Sequence, residues 1–300
     1  MRNSEDRQPV HVFVLGTGRN GSKAIAQWLS DIRGCRVIHE ANPLLLQESV
    51  DFISGRGISP ETREILKRTR SVEALGGNRL SGESNQRLSL IVSVLHETFP
   101  KARYVWLVRD GRAVVASLYQ RHWYHPREAA IRPARLAGWA NTRIRADEVG
   151  DMTSAEWLKL DAFGRCCWYW SFTNRHIKGE IQRLGLDAFL CRLEHLDDDS
   201  TALLQFLGLP SLEIPPVSTA NTSRGWRPIP WPYWSTRQIE IFRELAGCIM
   251  EELYPHWQDE MTRTKAIKLL GHLNRGLRII REVTRPVRQR LGLTKATATK

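Results

Sequence analysis

Residues 16–23 read Gly16-Thr17-Gly18-Arg19-Asn20-Gly21-Ser22-Lys23, three glycines in six positions with a basic residue between them. Glycines let the backbone turn sharply and present its N–H groups to an anion. Arg19 adds a fixed charge on a planar donor fork that suits phosphate or sulfate. A second pair of reactive groups stands at His39-Glu40. A carboxylate or an imidazole can take the proton from an attacking hydroxyl, so either residue is a candidate base. For Glu40 the plainer alternative is a carboxylate that caps a turn or pairs with Arg36.

The flanking residues supply elements that could position these groups. Val10 to Leu15 is apolar at five of six positions with three valines, the pattern of a buried parallel strand. Ala24, Ile25, Trp28 and Leu29 share one face of the helix expected next. A strand, a glycine turn and a helix N-terminus together make an anion cradle. Cys35 to Glu40 reads as a short second strand, and ligands of open α/β sheets sit beyond the carboxyl ends of strands. The nucleotide-binding pattern G-x-x-x-x-G-K-[ST] nearly fits from Gly16 but fails at Ser22, with Lys23 one place late. ATP or GTP is therefore not the expected ligand, and a nucleotide kinase or ATPase stands as the alternative from the same fold.

Arg103 to Ser117 forms a second strand, turn and helix, running Val108-Arg109-Asp110-Gly111-Arg112-Ala113 before the serine. The two stretches in this order resemble the cofactor signature of sulfotransferases that use PAPS, 3′-phosphoadenosine 5′-phosphosulfate, above all the tyrosylprotein and carbohydrate branches. The resemblance implies a P-loop-NTPase-like, three-layer α/β/α fold with a central parallel sheet. It implies that Gly16, Thr17, Gly18, Arg19, Asn20, Gly21, Ser22 and Lys23 hold the 5′-phosphosulfate, and that Arg109 and Ser117 hold the 3′-phosphate. Glu40, twenty-one residues after Arg19, matches the place of the catalytic glutamate, with His39 in reserve. Arg224 and Arg227 are candidates for the family's late basic lid over the nucleotide, the alternative being a surface linker stiffened by Pro228, Pro230 and Pro232. The implied reaction moves a sulfuryl group from PAPS to a hydroxyl of a carbohydrate, lipid, peptide tyrosine or small metabolite, releasing PAP, without a metal. The chain departs from the family near Ser84, which has neither lysine nor proline beside it. Arg112 either assists the 3′-phosphate or stays solvated.

Further along, helices are expected at Asn42–Phe52, from Ser59-Pro60, at Arg87–Phe99, Ala129–Val149, Ser154–Lys178 and Ser235–Leu253. The stretch from Gly76 to Asn85 reads as a loop, and Ala188–Glu194 as a strand. Residues 118–135, rich in aromatics, either shape an acceptor pocket or anchor a surface loop. The five cysteines form no C-x-x-C pair and read as core residues of a reducing compartment.

The net charge of +12 lies in the tail: residues 262–300 hold eleven Lys or Arg against one acid, Glu282, leaving +2 for the first 261. Residues 1–260 are expected to form the catalytic domain and 261–300 a basic amphipathic helix. That helix would dock on the body, pair with a partner helix or lie on an anionic membrane surface. A polyanion-binding protein is the non-enzymatic alternative, but the nearly neutral body argues against nucleic acid. Met1–Pro9 is polar and no run approaches the roughly eighteen apolar residues of a membrane span, so a cytoplasmic protein is expected.

Overall fold

A computed structural model describes residues 9–77, 79–131, 134–209 and 231–262. The chain divides into two compact units, Met1–Leu253 and Tyr254–Lys300. The first is built on five parallel strands: β1 (Val10–Leu15), β2 (Cys35–His39), β3 (Leu80–Ser84), β4 (Arg103–Val108) and β5 (Ala188–Arg192), in the spatial order β2-β3-β1-β4-β5. Alternate side chains of β1 face opposite layers, as the pleat requires. Val12 and Val14 enter a core with helix α1 (Ser22–Ser30) and helix α11 (Leu196–Phe206). Phe13 faces the other way, toward Tyr104 and Phe99. On that side, the 23-residue helix α10 (Ala162–Leu184) takes an indole hydrogen bond from Trp106 through Asn174 Oδ1. The arrangement is the expected three-layer α/β/α.

The order of the strands sets the place of the site. The chain leaves β1 toward β2 on one side and leaves β4 toward β5 on the other. Their carboxyl ends therefore flank a topological switch point, where such sheets open a crevice.

Several helices follow their local signals. Ser59 accepts from Thr62 N–H ahead of α3 (Pro60–Arg70). Ser235 and Gln238 cap α12 (Thr236–Leu253) reciprocally. Others are corrected. α2 (Leu46–Asp51) starts after, not at, Asn42-Pro43. The carbonyls of 41–43 are turned to the Arg70 guanidinium, and Leu45 adopts a left-handed conformation. The expected Ala129–Val149 helix is two short ones, α7 (Glu128–Ile131) and α8 (Ala134–Asn141), followed by turns. Arg87–Phe99 is a 3₁₀ turn at Leu88–Leu90 and then α5 (Val92–Thr98). Ser154–Lys178 splits into α9 (Ser154–Lys159) and α10, because Asp161 caps a new start by accepting from Gly164 N–H.

The largest correction is β3. Its sequence, Leu-Ser-Gly-Glu-Ser, carries turn formers and no β-branched residue, yet it lies between β1 and β2 with all five residues buried. Ladder bonds on both edges and unusually close packing outweigh propensity here. A Cβ on Gly82 would stand 2.4 Å from Val12 Cγ1 and from Val12 O. Gly82→Ala should accordingly destabilise the fold by about 2–3 kcal/mol or more, read as a lowered urea midpoint with the slope unchanged.

Candidate active site

The turn after β1 is bound into the protein by its own polar groups. Asn20, almost fully buried, donates from Nδ2 to Leu107 O at 2.9 Å and accepts from Ser22 N–H at 3.2 Å. Gly21, at φ 98°, is the N-cap of α1, a conformation that a side chain would strain. Two of the amides expected to face an anion do not. Gly16 N–H donates to Ser89 Oγ (2.8 Å) and Gly18 N–H to Tyr169 Oη (3.0 Å), whose hydroxyl in turn donates to Gln86 Oε1 (2.9 Å). Buried amides must be partnered, and the space below Gly18 is filled by Gln86 and Trp123. The first two glycines serve packing, and the groups of the turn left less enclosed are Arg19 and the start of α1. Thr17 is buried, Ser22 partly exposed, and Lys23 exposed on the first turn of α1.

Arg19 and the residues after β4 come together across the switch point. Arg19 Nε donates to Ser117 Oγ at 3.3 Å, and Arg109 Nη1 donates to the Arg19 carbonyl at 3.2 Å. The Arg109 turn is fixed from two sides. Trp170 Nε1 donates to Arg109 O (3.2 Å) and Glu194 Oε1 accepts from Asp110 N–H (3.0 Å). Ser117 lies, nearly buried, on α6 (Gly111–Gln120). Arg121, absent from the sequence reading, belongs to the same cluster. Burial first, then the charges of Arg121 and Arg109, lower the Arg19 pKa to about 10, with Glu40 opposing. Like charges brought this close repel one another, a cost that a bound anion could relieve. The available signal for Arg121 was its position four residues after Ser117, one helical turn along the same face.

Arg112 does not stay solvated. It is buried, held by Asp110 (Nη2–Oδ2 2.6 Å) and stacked over Trp231 at 4.6 Å. A guanidinium engaged in this way steadies the turn.

Glu40 follows the last residue of β2 and extends the sheet by one bond, its N–H donating to Ser84 O at 3.1 Å. Its backbone is left-handed (φ 54°), as is that of Arg19 (φ 69°). Each such residue costs about 1–2 kcal/mol, strain that collects at functional sites. Arg36, the alternative partner for Glu40, lies instead against Gly76. Burial raises the Glu40 pKa and the neighbouring Glu83 raises it further, while Arg87 and Arg19 pull it down. His39 is held by Ser22, with Nε2 3.1 Å from Ser22 Oγ and 3.9 Å from Glu40 Oε1. Burial, then Lys23 and Arg19, lower its pKa to about 4, so the ring is neutral near pH 7.

Arg87, three residues after Ser84, is a buried cation whose charge reaches Glu40. It donates to Thr142 O and Oγ1 at 2.7 Å each, and stacks on Trp139 at 5.0 Å. Asn85 accepts from Arg87 N–H through Oδ1 and donates to Glu83 through Nδ2, while the buried Ser84 Oγ has no partner among the described residues. The aromatic segment is mainly an anchor: Trp123 and Tyr124 are buried, and Arg143 stacks on Trp123 at 3.2 Å. Its Trp123 edge also walls the Gly18 turn. Arg224, Arg227 and the tail beyond residue 262 lie outside the described residues. Among the described residues no group of three His, Cys, Asp or Glu could hold a metal, and no helix is long and apolar enough to cross a membrane.

No family model matches this sequence, and no curated protein does. Among solved structures, the sulfotransferase domain from the Synechococcus PCC 7002 olefin synthase aligns over 81% of this chain and 97% of its own, at 15% identity and a TM-score of 0.43. A likeness so distant leaves the functional argument to the chain's own residues: a cluster of arginines at a switch point, and Glu40, on a left-handed backbone, within the field of Arg19.

Proposed function

We propose that this protein transfers a sulfuryl group from PAPS to a hydroxyl acceptor, releasing PAP. The observation that carries the proposal is the contact between two anion-grasping turns that lie ninety residues apart in sequence: Arg19 bonded to Ser117, and Arg109 bonded to the Arg19 carbonyl. One turn would hold the 5′-phosphosulfate through Arg19, Ser22, Lys23 and the N-terminus of α1. The other would hold the 3′-phosphate through Arg109 and Ser117, with Arg121 adding charge. PAPS would supply an activated sulfuryl group whose departure leaves negative charge on the nucleotide.

The protein's own part is to orient, neutralise charge and move one proton. Arg19, already placed and partly desolvated, needs little reorganisation to stabilise growing negative charge, and such preorganised electrostatics commonly supplies the largest share of catalysis. Glu40 would accept the proton of the acceptor hydroxyl. Its raised pKa brings it nearer the working pH, where a base is most effective.

Binding of PAP and PAPS to the purified chain by calorimetry, followed by a screen of hydroxyl acceptors with radiolabelled PAPS, tests the reading. Arg109→Ala should weaken PAP by about 10- to 100-fold, the worth of one charged hydrogen-bonding group. The thermal midpoint should hardly move, because Arg109 is partly exposed. Unchanged PAP affinity would remove the 3′-phosphate assignment. Magnesium-dependent ATP turnover in place of PAP binding would favour the kinase alternative.

A further inference from the structure

We infer that the buried Arg70–Glu83 pair is a positioning device for Glu40, clamping residues 41–43 so that the carboxylate just before them stands among Arg19, Arg87 and His39. The inference rests on the reading of Glu40 as the base.

Arg70 closes α3 and Glu83 sits in the central strand β3; both side chains are fully buried, with Nε 2.8 Å from Oε2. Their remaining bonds converge on one segment. Arg70 donates from Nη2 to Ala41 O and Pro43 O at 2.6 Å each, and from Nη1 to Asn42 O at 3.2 Å. Glu83 Oε1 accepts from Ala41 N–H at 3.0 Å and from Asn85 Nδ2 at 2.9 Å. Three consecutive residues after Glu40 are thus held at all three carbonyls and at the first amide. The segment emerges from a left-handed residue, a conformation that persists only where the surroundings over-determine it.

Stability alone is a poor reason for such a pair. Burying two charges costs several kcal/mol per ion, and apolar residues of similar volume often replace them without loss. What apolar residues could not do is fix the segment's polar backbone. The pair also reaches Glu40 through its field, since Glu83 is the largest charged influence holding that carboxyl up. The charged and titratable groups around Glu40 are Glu83 on β3, Arg87 just after it, Arg19 in the turn after β1, and His39 on its own strand, which itself feels Lys23 from α1.

The test follows the Glu40 carboxyl directly, in the full chain and without any ligand. Protein labelled with ¹³Cδ-glutamate is titrated by NMR, Glu40 being assigned from the signal lost in Glu40→Gln. Two variants are compared with the parent. In Glu83→Gln the carboxylate, which only accepts, becomes an amide that must set an NH₂ against one of the donors Arg70 Nε, Ala41 N–H or Asn85 Nδ2. Arg70→Met/Glu83→Met removes both charges and keeps volume, so it should fold even where the single variant does not. In each folded variant the Glu40 titration should move down toward the ordinary carboxylate range. Exchange of the Ala41 amide should accelerate by about tenfold or more, and PAP affinity should stay within about twofold.

A folded double variant with unmoved Glu40 titration and Ala41 exchange would overturn the inference. So would failure of both variants to fold, which would mark the pair as a stability element. If Glu40→Gln proved fully active while the titration still shifted, the clamp would stand and the base assignment would fall.

Discussion

Exchanging Glu40 for glutamine should lower turnover by about 10²–10⁴-fold, the usual share of a positioned general base, with PAP affinity little changed. Glutamine has the shape of glutamate and tolerates the same left-handed backbone equally badly, so the change removes the carboxylate's charge and its proton acceptance while leaving the fold in place. In the parent protein the pH profile of turnover should show an acid limb governed by Glu40. The base must be ionised to work, so activity rises with pH through its pKa. Because burial and Glu83 raise that pKa, the limb should lie above the ordinary glutamate range. In Glu40→Gln the limb should vanish. An active variant that kept it would send the search to His39. That residue is the weaker candidate on two grounds: its Nε2 is engaged with Ser22 Oγ, and Arg19 and Lys23 further disfavour the imidazolium it would become.

How much of this was readable before the structure depends on which physics set each element. β1, its turn and α1 announce themselves because strand burial, glycine turns and helical periodicity act over a few neighbouring residues. Arg109 and Ser117 were found through motif, and their meeting with Arg19 is a consequence of strand order that no local pattern states. β3 was missed for a sharper reason. A strand with neighbours pressed against Gly82 and a charge satisfied from α3 has no need of valine or isoleucine, so its composition imitates a loop. The role of the first two loop glycines was misjudged in a related way. Gly16 and Gly18 are small because Asn20, Gln86 and Trp123 crowd them, and their amides point inward. Arg87 was invisible because it owes its place to side chains brought up from elsewhere in the chain, whereas Arg121 had only its position one helical turn past Ser117 to mark it.

The second large effect separates function from stability at one residue. Arg19→Gly should reduce turnover by about 10²–10³-fold, the cost of removing one preorganised donor from a site of developing charge, and should weaken PAP as well. Stability should not fall with it. Arginine at φ 69° carries left-handed strain, its guanidinium is partly desolvated, and Arg109 and Arg121 repel it. Glycine removes all three costs, against a loss of roughly 0.5–1 kcal/mol from the greater freedom of the unfolded chain. The hydrogen bond to Ser117 is long at 3.3 Å and its loss offsets little. The net should be a gain of about 1 kcal/mol, a rise of roughly 2–4 °C in thermal midpoint for a domain of this size. Arg19→Ala, which keeps the strained backbone, should be as inactive and less stable than the glycine variant. A glycine variant that was destabilised yet active would mean that Arg19 is a structural strut, and the charge cluster at the switch point would lose its claim to be a catalytic site.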